Sequence, residues 1–192
     1  NGVRVAYKRM DTGGKMFWAL GLNGGYGNIP DLCTGEGAFV GDLLRLGRIA
    51  GMSWEDFVHF LESREIYLDT KVGMSSTIIS GVAPGTELPM VIRALAAIAN
   101  ERTSDDKVFE AYRRDEWLRL EKASGSSNVV VDSLMCPGYI YSRIKSQGKL
   151  SKVLLSKSDK LFEDLFSKMN DGIIVLVGDQ NEAIVRKQLR GY

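Results

Sequence analysis

The sequence places strand-like segments in neighbouring pairs, and this order limits the folds that the chain can adopt. Val3, Val5 and Tyr7 alternate with polar or small residues, and residues 16–22 form a nearly continuous apolar run. These two patterns indicate two successive strands. Residues 66–82 have strand patterning again and predict a β-hairpin. Strands that come in pairs, rather than alternating with helices, favour an α+β fold with a mostly antiparallel sheet and helices packed on one face.

Helical periodicity follows each strand pair. Phe39, Leu43, Leu46 and Ala50 lie on one face of a helix that we expect to run from residue 36 to Gly51. Ser53 is the expected N-cap of the next helix, with Asp56 in its first turn, and Thr103 or Ser104 is the expected cap of a later one. Three more helices are predicted over 88–98, 129–145 (the weakest) and 158–169. A strand over 173–177 and a helix capped by Asn181 complete the predicted elements.

The composition limits the class of protein. The 192 residues are 44% hydrophobic and 26% charged, which is enough apolar material for a core. The net charge is +1 and no basic stripe is present, so nucleic acid is not an expected partner. No apolar run approaches the roughly 18 residues of a membrane span. Because the chain starts abruptly at Asn1 and stops inside a predicted helix at Tyr192, we expect residues 1–192 to be a single domain of a longer, multi-domain protein. The sequence leaves the compartment open.

The order of these elements, with several local segments, resembles the M16 metallopeptidases, the family of pitrilysin, insulin-degrading enzyme and mitochondrial processing peptidase. Residues 1–5 resemble the family's opening strand, and residues 18–25 resemble its second strand with a glycine-rich exit. Residues 171–179 resemble a strand that ends in Val-Gly-Asp and closes one such domain. The family builds peptidases from two or four copies of this domain, which form a hollow clamshell, and usually one copy holds zinc.

Residues 35–44 resemble the family's zinc-ligand helix, which carries the pattern G-x-x-H-F-L-E-H-L. The frame of that pattern is present as Gly35, Phe39, Val40 and Leu43. The positions of the two ligand His residues and of the Glu differ. Ala38 stands in place of the first His, Gly41 in place of the Glu and Asp42 in place of the second His.

These substitutions decide what the resemblance implies. A hydrolytic zinc site needs about three protein ligands and an open position for water, together with a base. Ala38 has no donor atom, Gly41 cannot act as a base, and a single carboxylate from Asp42 does not hold zinc. We therefore expect no catalytic residue, no metal and no cofactor in this domain, with zinc in the catalytic domain of the parent protein.

The family's third ligand is a Glu on a helix farther along the chain. Glu116 and Glu121 lie near the corresponding distance. Both stand among many charged residues, so we interpret them as part of the solvated face of a charged helix.

Two single residues could carry other chemistry. His59 is the only histidine, so a His-rich metal site is not available, and its neighbours indicate a structural or exposed position on a helix flank. A Cys-His nucleophile at Cys136 is conceivable, but a buried or loop thiol is the ordinary interpretation. The glycine-rich segments 23–27 and 35–41 match no phosphate-binding motif and predict backbone turns with positive φ.

One polar cluster is a candidate for contact with substrate. Tyr139, Tyr141 and Arg143 lie close together in sequence, although loop packing explains them as well. Their spacing does not match a known pattern of the family, so no role is carried over to them.

The expected function follows from the resemblance. It implies a non-catalytic domain of a zinc peptidase, forming part of a peptide-enclosing chamber and supporting proteolysis by a catalytic domain elsewhere. The expected partners are a catalytic M16 domain, in the same polypeptide or in a partner subunit, and a peptide substrate. One alternative is a structural or assembly module of the same fold with no peptidase role. Another is an enzyme with an unrelated site near Cys136.

Overall fold

A five-stranded mixed sheet forms the centre of the computed structural model, which describes residues 3–123, 134 and 144–189. The strands in chain order are β1 (Arg4–Arg9), β2 (Lys15–Asn23), β3 (Arg48–Ile49), β4 (Met52–Ser53), β5 (Tyr67–Val72), β6 (Ser76–Pro84), β7 (Arg102–Thr103) and β8 (Ile173–Gly178). The main sheet has the order β1-β8-β2-β6-β5.

The strand pairings confirm a mostly antiparallel sheet. β1 runs parallel to β8, with Arg4 opposite Ile173. The pairings of β8 with β2, β2 with β6 and β6 with β5 are all antiparallel. The predicted hairpin over residues 66–82 is therefore present as β5 and β6, and β5 ends one side of the sheet.

The helices pack on one face of this sheet, as predicted. They are α1 (Gly37–Leu44), α2 (Trp54–Glu62), α3 (Leu88–Asn100), α4 (Asp106–Ala123), α5 (Gln147–Leu150), α6 (Leu155–Ser167) and α7 (Glu182–Leu189). In β2, Met16, Trp18 and Leu20 are buried, whereas the intervening Phe17 is 49% exposed. This alternation places the core on the helical side of the sheet and leaves the opposite side exposed.

The prediction of a helix from residue 36 to Gly51 was wrong at the C-terminal end of that helix. Helix α1 stops at Leu44, and Ile49 belongs instead to a small sheet of order β4-β3-β7. Arg102 explains the stop, because its guanidinium donates hydrogen bonds to the carbonyl oxygens of Leu43 and Leu44. These carbonyls are thereby satisfied without a further helical turn. Gly47 allows β3 to approach β7, since a Cβ there would lie 2.9 Å from the Thr103 carbonyl oxygen.

The capping predictions have mixed outcomes. Ser53 accepts a hydrogen bond from the Asp56 amide at 3.1 Å, and Asn181 accepts one from the Ala183 amide at 2.9 Å, so both caps are confirmed. The expected cap of α4 at Thr103 or Ser104 was wrong. The Asp105 carboxylate instead accepts from the Lys107 amide, because an ionised oxygen is a stronger acceptor for the free N–H groups of a helix start.

Some predictions concern residues outside the described part of the chain, including most of the weaker helix over 129–145. Among the described residues, no helix is both long enough and apolar enough to cross a membrane.

Candidate functional site

Helix α1 holds the three positions that the sequence resemblance aligns with a zinc motif. Its apolar face is fixed in the core by Phe39, Val40, Leu43 and Leu44, all fully buried. Ala38 and Asp42 are four residues apart and therefore lie on one face of the helix. Apart from its chain neighbours and the helix backbone, no atom of the described residues lies within 4 Å of the position that a Cβ of Gly41 would take, so these residues leave the space beside it open.

Asp42 is held by two donors from distant parts of the chain. The Tyr112 hydroxyl of α4 donates a hydrogen bond to Asp42 Oδ2 at 2.6 Å. The Lys145 ammonium, from the segment before α5, donates to the same oxygen at 2.5 Å. The Asp42 side chain is 39% exposed. Its carboxylate therefore serves as an acceptor that joins α1 to α4 and to the segment of Lys145.

Glu116 lies in the same cluster, and its predicted solvated position was wrong. Its side chain is only 7% exposed, and Lys145 Nζ lies 3.5 Å from Glu116 Oε1. Arg119 binds both carboxylate oxygens, at 2.6 and 2.5 Å. The physical reason is neutralisation, because two cations beside the carboxylate permit its burial. Glu121, the other candidate, is exposed.

A sequence signal for the burial of Glu116 was available in the helical period. Tyr112 and Glu116 are four residues apart, so they share one face of α4. Lys145 gave no such signal, because it is 103 positions from Asp42 and only the fold brings the two together.

The electrostatics of the cluster fix its protonation. The hydrogen bonds from Arg119, with the nearby charge of Lys145, hold the pKa of Glu116 below its ordinary value. Burial, reinforced by the hydrogen bond to Asp42, raises the pKa of the Tyr112 phenol above its ordinary value. At neutral pH the phenol therefore keeps its proton and acts as a donor, and Glu116 is a carboxylate bound by cations.

The residues at this position do not fit a zinc ion. Ala38 and Gly41 supply no donor atom. The Asp42 carboxylate already binds the Lys145 ammonium, whose positive charge opposes a second cation at the same oxygen. Across residues 3–123 and 144–189, no group of three or more His, Cys, Asp or Glu side chains is placed to hold a metal ion.

The remaining candidate residues lie away from this cluster or outside the described residues. His59 is exposed on α2, which agrees with the predicted helix-flank position. In the glycine-rich segments, Gly24 and Gly35 have φ values of +119° and +77°, as expected for turns. The substrate-contact candidates Tyr139, Tyr141 and Arg143, together with Cys136, lie outside the described residues.

Solved structures identify the fold. The model superposes on a protease from Helicobacter pylori with a TM-score of 0.77 and 14% identity, covering 100% of this chain and 47% of that one. It superposes on the first half of the periplasmic protease PqqL from Escherichia coli with a TM-score of 0.75 and 12% identity, covering 99% and 43%. For the peptidase M16 inactive domain from Pseudomonas fluorescens the TM-score is 0.72 and the identity 10%, covering 97% and 47%. The fold is that of an M16 peptidase domain.

Sequence comparison adds nothing to this assignment, because no protein-family model and no curated protein matches the sequence. The chain spans less than half of each of the three similar structures. What the comparison shows is therefore the M16 domain fold, within which α1 carries Ala38, Gly41 and Asp42.

Proposed function

We propose that this chain is a non-catalytic M16 domain that forms part of the wall of a peptide-enclosing chamber. It supports proteolysis by a catalytic M16 domain located in the same polypeptide or in a partner subunit. The observation that carries this proposal is the state of α1. The helix is present, with Phe39 and Leu43 fully buried. At the positions of the motif, however, Ala38 and Gly41 have no donor atom and Asp42 is bound by Lys145.

The side chains of the cluster support the absence of catalysis in this domain. Peptide hydrolysis of this type needs a metal-activated water and a free base. Asp42 is bound by Tyr112 and Lys145, and Glu116 is bound by Arg119. Both carboxylates are therefore engaged in ion pairs and are not free groups. We place zinc in the catalytic domain of the parent protein instead.

The sheet supports a role in enclosing peptide. An edge strand can pair with an extended peptide through its main chain, and a closed chamber excludes water from the peptide. β5 is an edge strand of the main sheet, and its Tyr67 is 53% exposed. We therefore propose β5 as the strand that meets the enclosed peptide.

One contact favours the alternative, a structural or assembly module with no peptidase role. Arg45, at the end of α1, donates hydrogen bonds to Thr70 Oγ1 and to the Thr70 carbonyl oxygen, and it pairs with Asp69 at 3.0 Å. This guanidinium already lies on β5. A peptide that adds to this strand must displace it or pair beside it.

Photo-crosslinking separates the two candidates. A benzophenone amino acid is introduced at Tyr67, and biotin-labelled unstructured peptides of about 25 residues are added together with a catalytic M16 chain that carries an intact His-x-x-Glu-His motif. A matched variant carries the same photoprobe at Ile184, which is 51% exposed and lies on α7 rather than on β5. The proposal predicts cross-linking from Tyr67 and little from Ile184.

The same samples test the assignment of catalysis. Cleavage of the peptides should require the catalytic chain, and this chain alone, with zinc added, should leave them intact. Equal cross-linking from both positions would favour the assembly module. Cleavage by this chain alone that EDTA abolishes would contradict the proposal.

A further inference from the structure

Lys145 connects three separate parts of the chain at one point. Its ammonium lies 2.5 Å from Asp42 Oδ2 on α1 and 3.5 Å from Glu116 Oε1 on α4, and it belongs to neither helix. It also lies 5.3 Å from the ring centroid of the fully buried Phe39. Two carboxylates and an aromatic face all favour a cation at this position.

Among the described residues, the charges of the cluster balance only when Lys145 is included. Asp42 and Glu116 carry two negative charges, and Arg119 and Lys145 carry two positive charges. Arg119 binds Glu116 from the solvent side, with its own side chain 64% exposed. The Asp42 carboxylate therefore has Lys145 as its cation, and the phenol of Tyr112 contributes no charge.

By the resemblance described above, a catalytic copy of this domain would hold its metal through ligands on α1 and on a later helix. The side chains present do not fit such an ion. We infer that the Lys145 ammonium has taken over the mechanical role of a metal, fixing α1 to α4, so that the domain keeps its ligand helix in place without one. This inference concerns how the domain holds its shape and is independent of the proposed contact with peptide.

A double-mutant cycle of unfolding equilibria tests this inference on the 192-residue chain. The variants are Lys145→Met, which removes the charge and keeps most of the apolar length, Asp42→Asn, and their combination. Each single variant should raise the unfolding equilibrium constant about 10-fold, because it removes the ion pair between Lys145 and Asp42 and leaves the other member of that pair charged. The combination should lie within about threefold of the single variants, since it leaves neither charge.

Two controls make the result specific. Lys152→Met, at an exposed lysine after α5, should change the unfolding constant by less than about threefold. Hydrogen exchange of the α1 and α4 amides should accelerate in Lys145→Met, while exchange in β8 should follow only the change in global stability. EDTA and added ZnCl2 should change neither quantity in the unmodified protein.

Clear outcomes would overturn the inference. Additive single effects, near 100-fold in the combination, would show that Lys145 and Asp42 act separately. Loss of α1 protection on addition of EDTA to the unmodified protein would show that a metal fixes the helix. If Lys145→Met does not fold, the inference still requires the combination with Asp42→Asn to fold, and an unfolded combination would overturn it.

Discussion

The phenol of Tyr112 donates a 2.6 Å hydrogen bond to the carboxylate of Asp42, across 70 positions of sequence. This bond joins α4 to the helix that would carry the zinc ligands in a catalytic domain of this fold. It also uses an oxygen that a metal would need. The Asp42 carboxylate is thus a bonded structural junction, and the predictions below measure its parts.

Removal of the Tyr112 hydroxyl should destabilise the domain. Tyr112→Phe keeps the ring and deletes one hydrogen bond to an ionised, partly buried acceptor, so we expect a loss of about 1–2 kcal/mol in the free energy of unfolding. Urea denaturation measures it. Tyr67→Phe is the matched control, because Tyr67 is 53% exposed, and it should change stability by less than about 0.5 kcal/mol. Equal effects of the two substitutions would contradict the account.

Glu116 should make stability depend on pH in the acid range. Its pKa is lowered in the folded state, from an ordinary value of 4.5, so its contribution is complete above about pH 4.5. The contribution is lost as pH falls below that value through the folded-state pKa, because the folded state must then take up a proton that the unfolded state already binds. Glu116→Gln should therefore flatten the acid limb, which is the low-pH part of the plot of the free energy of unfolding against pH. Its slope should decrease by at most about 1.4 kcal/mol per pH unit.

Chemical denaturation at a series of pH values between 2.5 and 7 checks this prediction. The control is Glu163→Gln at an exposed position of α6, and the acid limb should flatten more in Glu116→Gln than in this variant. An unchanged limb in Glu116→Gln would show that the carboxylate is not held by Arg119 and Lys145 in solution.

Gly41 should tolerate a side chain, because no described residue occupies the space beside it. Gly41→Ala in the interior of α1 should stabilise the domain by roughly 0.5–1 kcal/mol through a lower backbone entropy of the unfolded chain. Gly37→Ala in the same helix should destabilise, since its Cβ would lie 2.4 Å from the Tyr26 ring. Thermal unfolding of the two variants compares them directly, and destabilisation by both would contradict the predicted open space.

Arg102 should be one of the most sensitive positions outside the apolar core. Its side chain, 7% exposed, pairs with Asp159 at 3.0 Å and lies 4.8 Å from the Phe162 ring centroid. Arg102→Met should lower the free energy of unfolding by about 2–4 kcal/mol, because it removes the hydrogen bonds to the carbonyl oxygens at the end of α1 and leaves Asp159 without this cation. Urea denaturation of this variant gives the free energy of unfolding.

The control for Arg102 is an arginine at the surface that also makes an ion pair and a contact with an aromatic ring. Arg64 pairs with Glu87 at 3.4 Å and lies 5.6 Å from the Phe60 ring centroid, but its side chain is 44% exposed. Arg64→Met should cost less than about 1 kcal/mol. A similar cost for Arg64→Met and Arg102→Met would contradict the structural role given to burial.

The strands and most helices could be predicted from the sequence because their signals are local. The alternation in β2 and the Ser53 cap depend on residues close together in the chain. The end of α1 at Leu44 could not be predicted, since it depends on Arg102, 58 positions away. Leu46 and Ala50 continue the helical spacing although the chain leaves the helix, so periodicity alone gave a helix that was too long.

The candidate site also has features that the local sequence predicts and features that only the fold reveals. The absence of donor atoms at Ala38 and Gly41 is visible in the sequence. The contacts of Lys145 with Asp42 and with Glu116 join segments that are far apart in the chain, so no local pattern predicts them. The four-residue spacing of Tyr112 and Glu116 marks one face of α4, but the many charged residues on this helix favour a solvated position for Glu116 when the sequence is considered alone.

Zinc content tests the central claim most directly. The 192-residue chain is produced in zinc-supplemented medium without a histidine tag, purified without chelators and analysed by mass spectrometry of its metals, beside the variant Asp42→Ala. The account predicts less than roughly 0.1 zinc ion per chain in both proteins, because three ligands and an open coordination position are not available on α1. One zinc ion per chain in the unmodified protein, lost in Asp42→Ala, would contradict it.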